Sequence, residues 1–98
     1  MIHRFYLDTG NLDRHDLMAY NETLDLANQH VVEYGPFMRY MATESWRDPD
    51  TGLLMKGPCL IYEIDSDYHD LSKLANTLKD LFNLESVIWA IVPIEFKL

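Results

Sequence analysis

Two stretches of helical period lie between stretches of strand period in this chain, and that alternation limits its possible folds more than any other feature. Residues 2–8, IHRFYLD, are rich in aromatic and branched side chains and stop at Thr9-Gly10-Asn11, the pattern of a strand entering a turn. Over about 12–34 the period changes. Leu17, Tyr20, Leu24, Ala27, Val31 and Tyr34 recur at alternating spacings of three and four, which places them on one face of a helix. Asp16, Glu22, Asp25 and Glu33 occupy the opposite face. Asp13 is the expected N-cap, with Asp16 three residues on, where negative charge suits the positive end of the helix dipole. Gly35-Pro36 ends the helix, because proline cannot continue it.

Strand character returns in PFMRYMATESW (36–46), and Asp48-Pro49-Asp50-Thr51-Gly52 supplies a hairpin turn. LLMKGPCLIYEID (53–65) is the return strand. Gly57-Pro58 interrupts it, so a bulge or an edge position is expected there. A second helix is expected over about 68–84, with Leu71, Leu74, Leu78 and Leu81 as its stripe and Ala75 and Phe82 beside it. SVIWAIVPIEF (86–96) closes the chain as a strand. The order is β-α-β-β-α-β. In one domain spanning residues 1–98, this order predicts an α+β fold of the ferredoxin-like kind: a four-stranded antiparallel sheet with two helices on one face.

Such a sheet has one face against helices and one free, and a free face in water should alternate polar with apolar residues. The last strand does not. Ile88, Ala90, Val92, Ile94 and Phe96 serve one face, and Val87, Trp89, Ile91 and Pro93 the other. Something is therefore expected to cover the second face. The expected cover is a second copy, giving a homodimer through the free sheet face, or another protein. Five of the eight basic residues (Arg4, Arg39, Arg47, Lys56, Lys97) fall on expected strands. They either protect sheet edges from aggregation or receive an anionic group.

Charge narrows the partners. Sixteen acidic against eight basic residues give a formal net charge of −8, which repels nucleic-acid backbones and anionic lipid and favours basic partners. Direct nucleic-acid and membrane binding are not expected. The longest apolar run, VIWAIVPI at 87–94, is far short of the ~20 residues a spanning helix needs. MIHRFYLDTGN has no apolar run of signal-peptide length. A single cysteine, Cys59, rules out an internal disulfide and a thiolate-cluster zinc site. A cytoplasmic location is expected, with Cys59 in the core as a small apolar residue.

The densest group of titratable residues is EIDSDYHDL at 63–71. A calcium loop needs a glycine at its sharp turn and a closing bidentate glutamate, both missing here. The acids are instead expected to form a turn and a helix cap, with Asp67 as N-cap and Asp70 at the third position. Asp8-Thr9-Gly10 matches the tripeptide of aspartic proteases, but a helix follows at once where those enzymes are nearly all β. FYLDTGNLD resembles the opening strand of small transaldolases over about ten residues, without the following segment or the length of an eight-stranded barrel. His3, His15, His30 and His69 form no i,i+4 pair. Of these, His3, on the first strand near Tyr6, is the one a barrel-like dimer would turn toward a cavity. No phosphate loop, dinucleotide turn or nucleophile elbow is present. No catalytic residue, cofactor or metal ligand is therefore assigned.

Two functions remain. The first is a small acidic, non-catalytic interaction or regulatory protein whose helix acids (Asp16, Glu22, Asp25, Glu33) meet a basic macromolecule. In size and charge it resembles the small inhibitors carried by phages. The second is a small-molecule-binding protein or enzyme, since the element order and apolar closing strand are similar to those of dimeric α+β barrels. Its sheet-face or cavity candidates are His3, Arg4, Tyr6, Arg39, Tyr62 and Trp89. The first follows more directly from the residues, because no constellation demands catalysis.

Overall fold

The structure, a computed structural model, describes residues 1–9 and 17–93. Its elements run β1 (Ile2–Asp8), α1 (Leu17–Val32), β2 (Phe37–Arg47), β3 (Leu54–Asp65), α2 (Ser72–Leu81) and β4 (Ile88–Val92). The strands form one antiparallel sheet in the order β2-β3-β1-β4. Both helices pack on the same side, so the fold is the ferredoxin-like α+β arrangement.

Alternation along the strands divides the residues between two faces. Phe5 and Leu7 of β1 and Leu60, Tyr62 and Ile64 of β3 point to the helices, where Ala27 and Val31 of α1 and Leu74 and Leu78 of α2 meet them. Leu71 and Phe82 complete this core, and Trp89 packs against it from β4. The periodicity in both helices thus marks the buried stripe.

One expected element end is overturned, the start of the second helix, while others lie outside the described residues. The expected N-cap Asp13 and its neighbour Asp16 lie outside the described residues, as do Ile94, Phe96 and Lys97. The second helix begins at Ser72 rather than near 68, and Leu71, not Asp67, holds the N-cap position, with no side-chain cap bond. Residues 66–70 are held as a loop: Ser66 Oγ accepts the Tyr68 N–H at 3.1 Å, and the Tyr68 carbonyl bonds His3 Nε2 at 2.9 Å. Asp70 takes over the cap's work by accepting the Ser72 N–H at 2.9 Å, which holds its carboxyl below the usual range. Gly57-Pro58 causes no bulge, since the β2–β3 register runs unbroken through Glu44↔Gly57 and Thr43↔Pro58. Instead β1 pairs with β3 only from Cys59 onward, so Pro58 sits where β3 has lost its second described neighbour and its missing N–H costs little.

Gly35 joins α1 to β2 with a φ of 152°. A Cβ there would run into the backbone carbonyl oxygen of Asp65. The same junction is tied by the Asp65 N–H donating to the Pro36 carbonyl at 3.0 Å.

Candidate functional site on the open sheet face

The face away from the helices is built from the alternate residues of the same strands. It carries Ile2, Arg4 and Tyr6 from β1, Met38, Tyr40 and Ala42 from β2, Cys59, Ile61 and Glu63 from β3, and Ile88, Ala90 and Val92 from β4. Met38, Tyr40 and Ile88 are exposed. The middle of the face is apolar around one polar group, while Asp65 at one end and Asp8 and Glu44 at the other belong to the same alternation.

That group is fixed by register. Arg4 lies directly opposite Glu63, and its Nε donates to Glu63 Oε1 at 2.8 Å. Tyr40, one diagonal step away on β2, donates its hydroxyl to the same oxygen at 2.6 Å. The other arm of the guanidinium, Nη1, donates to the Tyr6 hydroxyl at 3.1 Å. The Glu63 side chain is only 18% exposed. The Tyr40 hydroxyl, with Arg4 adding hydrogen bonding and charge, holds its carboxyl below the usual range against the opposing effect of desolvation. Reciprocally, donation to Glu63 raises the Tyr40 phenol, and the contacts with Tyr6 and Glu63 raise the Arg4 guanidinium further. The centre of the face therefore holds a fixed carboxylate, with its charge offset by one arginine.

Beside it, where β1, β2 and β3 end together, lies a pocket of about 220 Å3 lined by Ile2, Pro36, Phe37, Met38, Glu63 and Asp65. Its walls are mainly apolar, and its two carboxylates already have cationic partners, Asp65 Oδ1 the N-terminal ammonium at 3.3 Å and Glu63 Oε1 the Arg4 guanidinium at 2.8 Å. A ligand with an apolar body and a positive charge would meet their second oxygens.

The six cavity candidates divide between the two sides of the sheet. Arg4 and Tyr6 are on the open face. His3, Arg39, Tyr62 and Trp89 are on the helix side. His3 is fully buried; it accepts the Trp89 indole N–H at Nδ1 (3.0 Å) and so presents Nε2–H to the Tyr68 carbonyl. Both nitrogens are occupied in binding β1, β4 and the 66–70 loop together, and the ring does not face the open side. Tyr62 donates to Asn28 Oδ1 at 2.9 Å, and Arg39 donates to the same oxygen at 3.3 Å. Burial raises the Tyr62 phenol, with Arg39 opposing. Cys59 is buried on the open face rather than in the helix-side core, and burial pushes its thiol up.

Glu63 and Tyr40 were not among the sequence candidates. Within CLIYEID alternation places Glu63 on the face of Ile61, but only the register shows that Arg4 and Tyr40 converge on it. Among the acids assigned to partner binding, Glu22 and Asp25 are exposed on α1 and Glu33 is exposed in the turn just after it, and Asp16 lies outside the described residues. Among the described residues, no three His, Cys, Asp or Glu side chains group as a metal site, and no helix is long and apolar enough to cross a membrane.

No protein-family model and no curated protein matches the chain. Among solved structures, a phage SAM lyase in complex with S-methyl-5'-thioadenosine is similar in fold, with a TM-score of 0.51 and 14% sequence identity. The alignment covers 90% of this chain and 76% of that one.

Proposed function

We propose that the protein binds a small organic cation at the open sheet face, and that a second copy of the chain laid on that face completes the site. The observation that carries this reading is the Glu63 carboxylate, kept ionised by Tyr40 and Arg4 in the middle of an apolar surface and bordering a pocket. A buried charge of this kind adds little to stability. It does give a cationic ligand a fixed partner in surroundings that strengthen the attraction. SAM is the first ligand to test. Its sulfonium carries the required charge, its adenine ring offers flat faces to the apolar walls, and the structural neighbour is a SAM lyase. An enzyme of that type is the fuller form of this reading, and the cytoplasm is the proposed location.

The experiment is calorimetric titration with SAM and with the uncharged S-methyl-5'-thioadenosine, followed by chromatography of the SAM mixture for thioadenosine product. Binding of SAM that Glu63→Gln weakens at least tenfold supports the reading. No heat with either compound at millimolar concentration, or binding indifferent to Glu63→Gln, would sink it.

A second reading is favoured by α1. Glu22, Asp25 and Glu33 are exposed and paired with no described basic residue, so they are available to a basic macromolecule, and a non-catalytic inhibitor or regulator would use them. Salt-sensitive binding of an oligolysine peptide, lost in Glu22→Lys/Asp25→Lys, is its test. Binding unchanged at about 0.5 M salt would remove the electrostatic part.

A further inference from the structure

The β2–β3 hairpin is longer than the sheet it belongs to. β1 meets β3 only at residues 59–65, so among the described residues 43–47 and 54–58 pair only with each other. This two-stranded arm is about 16 Å long at roughly 3.3 Å per residue. A lone hairpin of this kind is marginal in water, yet it exposes Trp46, Leu53, Leu54 and Met55. Register divides its faces. Ser45 with Lys56 and Arg47 with Leu54 share the side on which, further along the sheet, the helices pack; Glu44, Trp46 and Met55 share the other. Both cations of the arm therefore lie on one face beside an exposed leucine. One arm of the Arg47 guanidinium donates to the Gly52 carbonyl at 2.8 Å, and Asp48 at the turn accepts the Asp50 N–H at 2.8 Å, so neither cation is ion-paired among the described residues.

The outer stripe of α1 is the complement. At 100° per residue, Met18, Glu22, Asp25, Leu26, Val32 and Glu33 fall within one face opposite the buried Ala27 and Val31. Three of these are acids, and the apolar three are 73% (Met18), 48% (Leu26) and 57% (Val32) exposed. Acidic helix stripes on their own are commonly solvated. This one alternates acids with large apolar groups over a helix of 16 residues, about 24 Å at ~1.5 Å rise, long enough to receive the arm.

We propose that the arm of one copy docks on the outer stripe of α1 of a second copy, Arg47 and Lys56 meeting Glu22, Asp25 and Glu33 while Leu54 seats among Met18, Leu26 and Val32. This rests on the second reading above and names its basic partner as the chain itself. Copies with a net charge of −8 repel one another over most of their surface, and arm against helix stripe is a contact at which opposite charges meet. The contact is heterologous, since the two patches differ, so each copy offers one of each and successive copies form a ring or a chain.

A charge swap tests it. Light scattering of the full chain at about 0.05 M salt is expected to show species heavier than 11.5 kDa that fall toward monomer at about 0.5 M. Arg47→Glu/Lys56→Glu alone and Glu22→Lys/Asp25→Lys alone should each lose the salt-sensitive assembly, with circular dichroism unchanged because every site is exposed. An equimolar mixture of the two should assemble again. Salt-sensitive assembly that persists in either variant alone would place the contact elsewhere and overturn the proposal, as would a wild-type monomer at every concentration; a salt-insensitive dimer common to all three belongs to the open sheet face. If the wild type is monomeric yet binds oligolysine through Glu22 and Asp25, the self-contact fails and the second reading stands. If it does neither, both fail.

Discussion

The two faces of the sheet are made by alternate residues of the same four strands, yet they are closed in different ways. On the helix side Phe5, Leu7, Tyr62 and Ile64 are buried by leucines of α2 and small or branched residues of α1, and the polar groups His3 and Trp89 satisfy each other. On the open side Met38, Tyr40 and Ile88 face solvent, and the polar centre is a charge pair rather than a neutral one. Local sequence builds either face equally well. The helix side is closed within one chain over β1 and the middle of β3, leaving Met41 and Ile91 exposed on its outer strands, while the open side has apolar surface to spare at its centre and a carboxylate with unused acceptor capacity, which is the condition of a surface that acts on something else.

Substitutions on the two sides should therefore differ in kind as well as in size. Leu78→Ala, at a fully buried position, should cost roughly 2–5 kcal/mol in urea unfolding and leave ligand binding per folded molecule unchanged. A cost under about 1 kcal/mol would mean that the helix side is loosely packed. His3→Ala should come next. It strips the Trp89 N–H and the Tyr68 carbonyl of their partners, at about 1–3 kcal/mol for each buried group left unmade. His3→Gln, which can hydrogen-bond, should recover part of it, and no recovery would point to ring packing instead.

On the open side, Glu63→Gln should act on the pH dependence more than on stability at neutral pH. Its carboxyl lies below the ordinary range in the folded chain, so its contribution is complete above the unfolded value of about 4.3 and disappears as pH falls through the folded value. The wild-type melting temperature should thus decline more steeply than that of Glu63→Gln on going from pH 5 to 3; parallel curves would show that the Arg4–Glu63–Tyr40 network carries no coupling. The smallest folding effect is expected from Ile88→Thr, within about 0.5 kcal/mol at an exposed site. If a second copy covers the open face, the same change should weaken association, and association left intact would separate the assembly from that face.

The strands and both helices were legible in the sequence because hydrophobic period is a local property: Leu71, Leu74 and Leu78, and Ala27 with Val31, announce their face wherever the helix packs. The start of α2 was not legible. Asp67 is as good a cap residue as Asp70, and the choice between them was made by His3, some 65 positions away along the chain, which holds the Tyr68 carbonyl in a loop. The candidate site was half legible, for a similar reason. Arg4 and Tyr6 stand out as polar residues on a strand, but alternation alone leaves the absolute face of each strand open, so His3, Arg39, Tyr62 and Trp89 carried equal weight until the helices took one side.

By itself, then, the order of residues determined the element succession, the apolar stripes and the excess of negative charge, all of which are set within a few residues or by simple addition. The convergence of Arg4, Tyr40 and Glu63 on one point, the burial of His3 and the length by which the β2–β3 arm outruns β1 were decided only in three dimensions. Each depends on the register between strands 20 to 60 residues apart, and register is settled by which pairing buries the most apolar surface in the whole domain rather than by any segment alone.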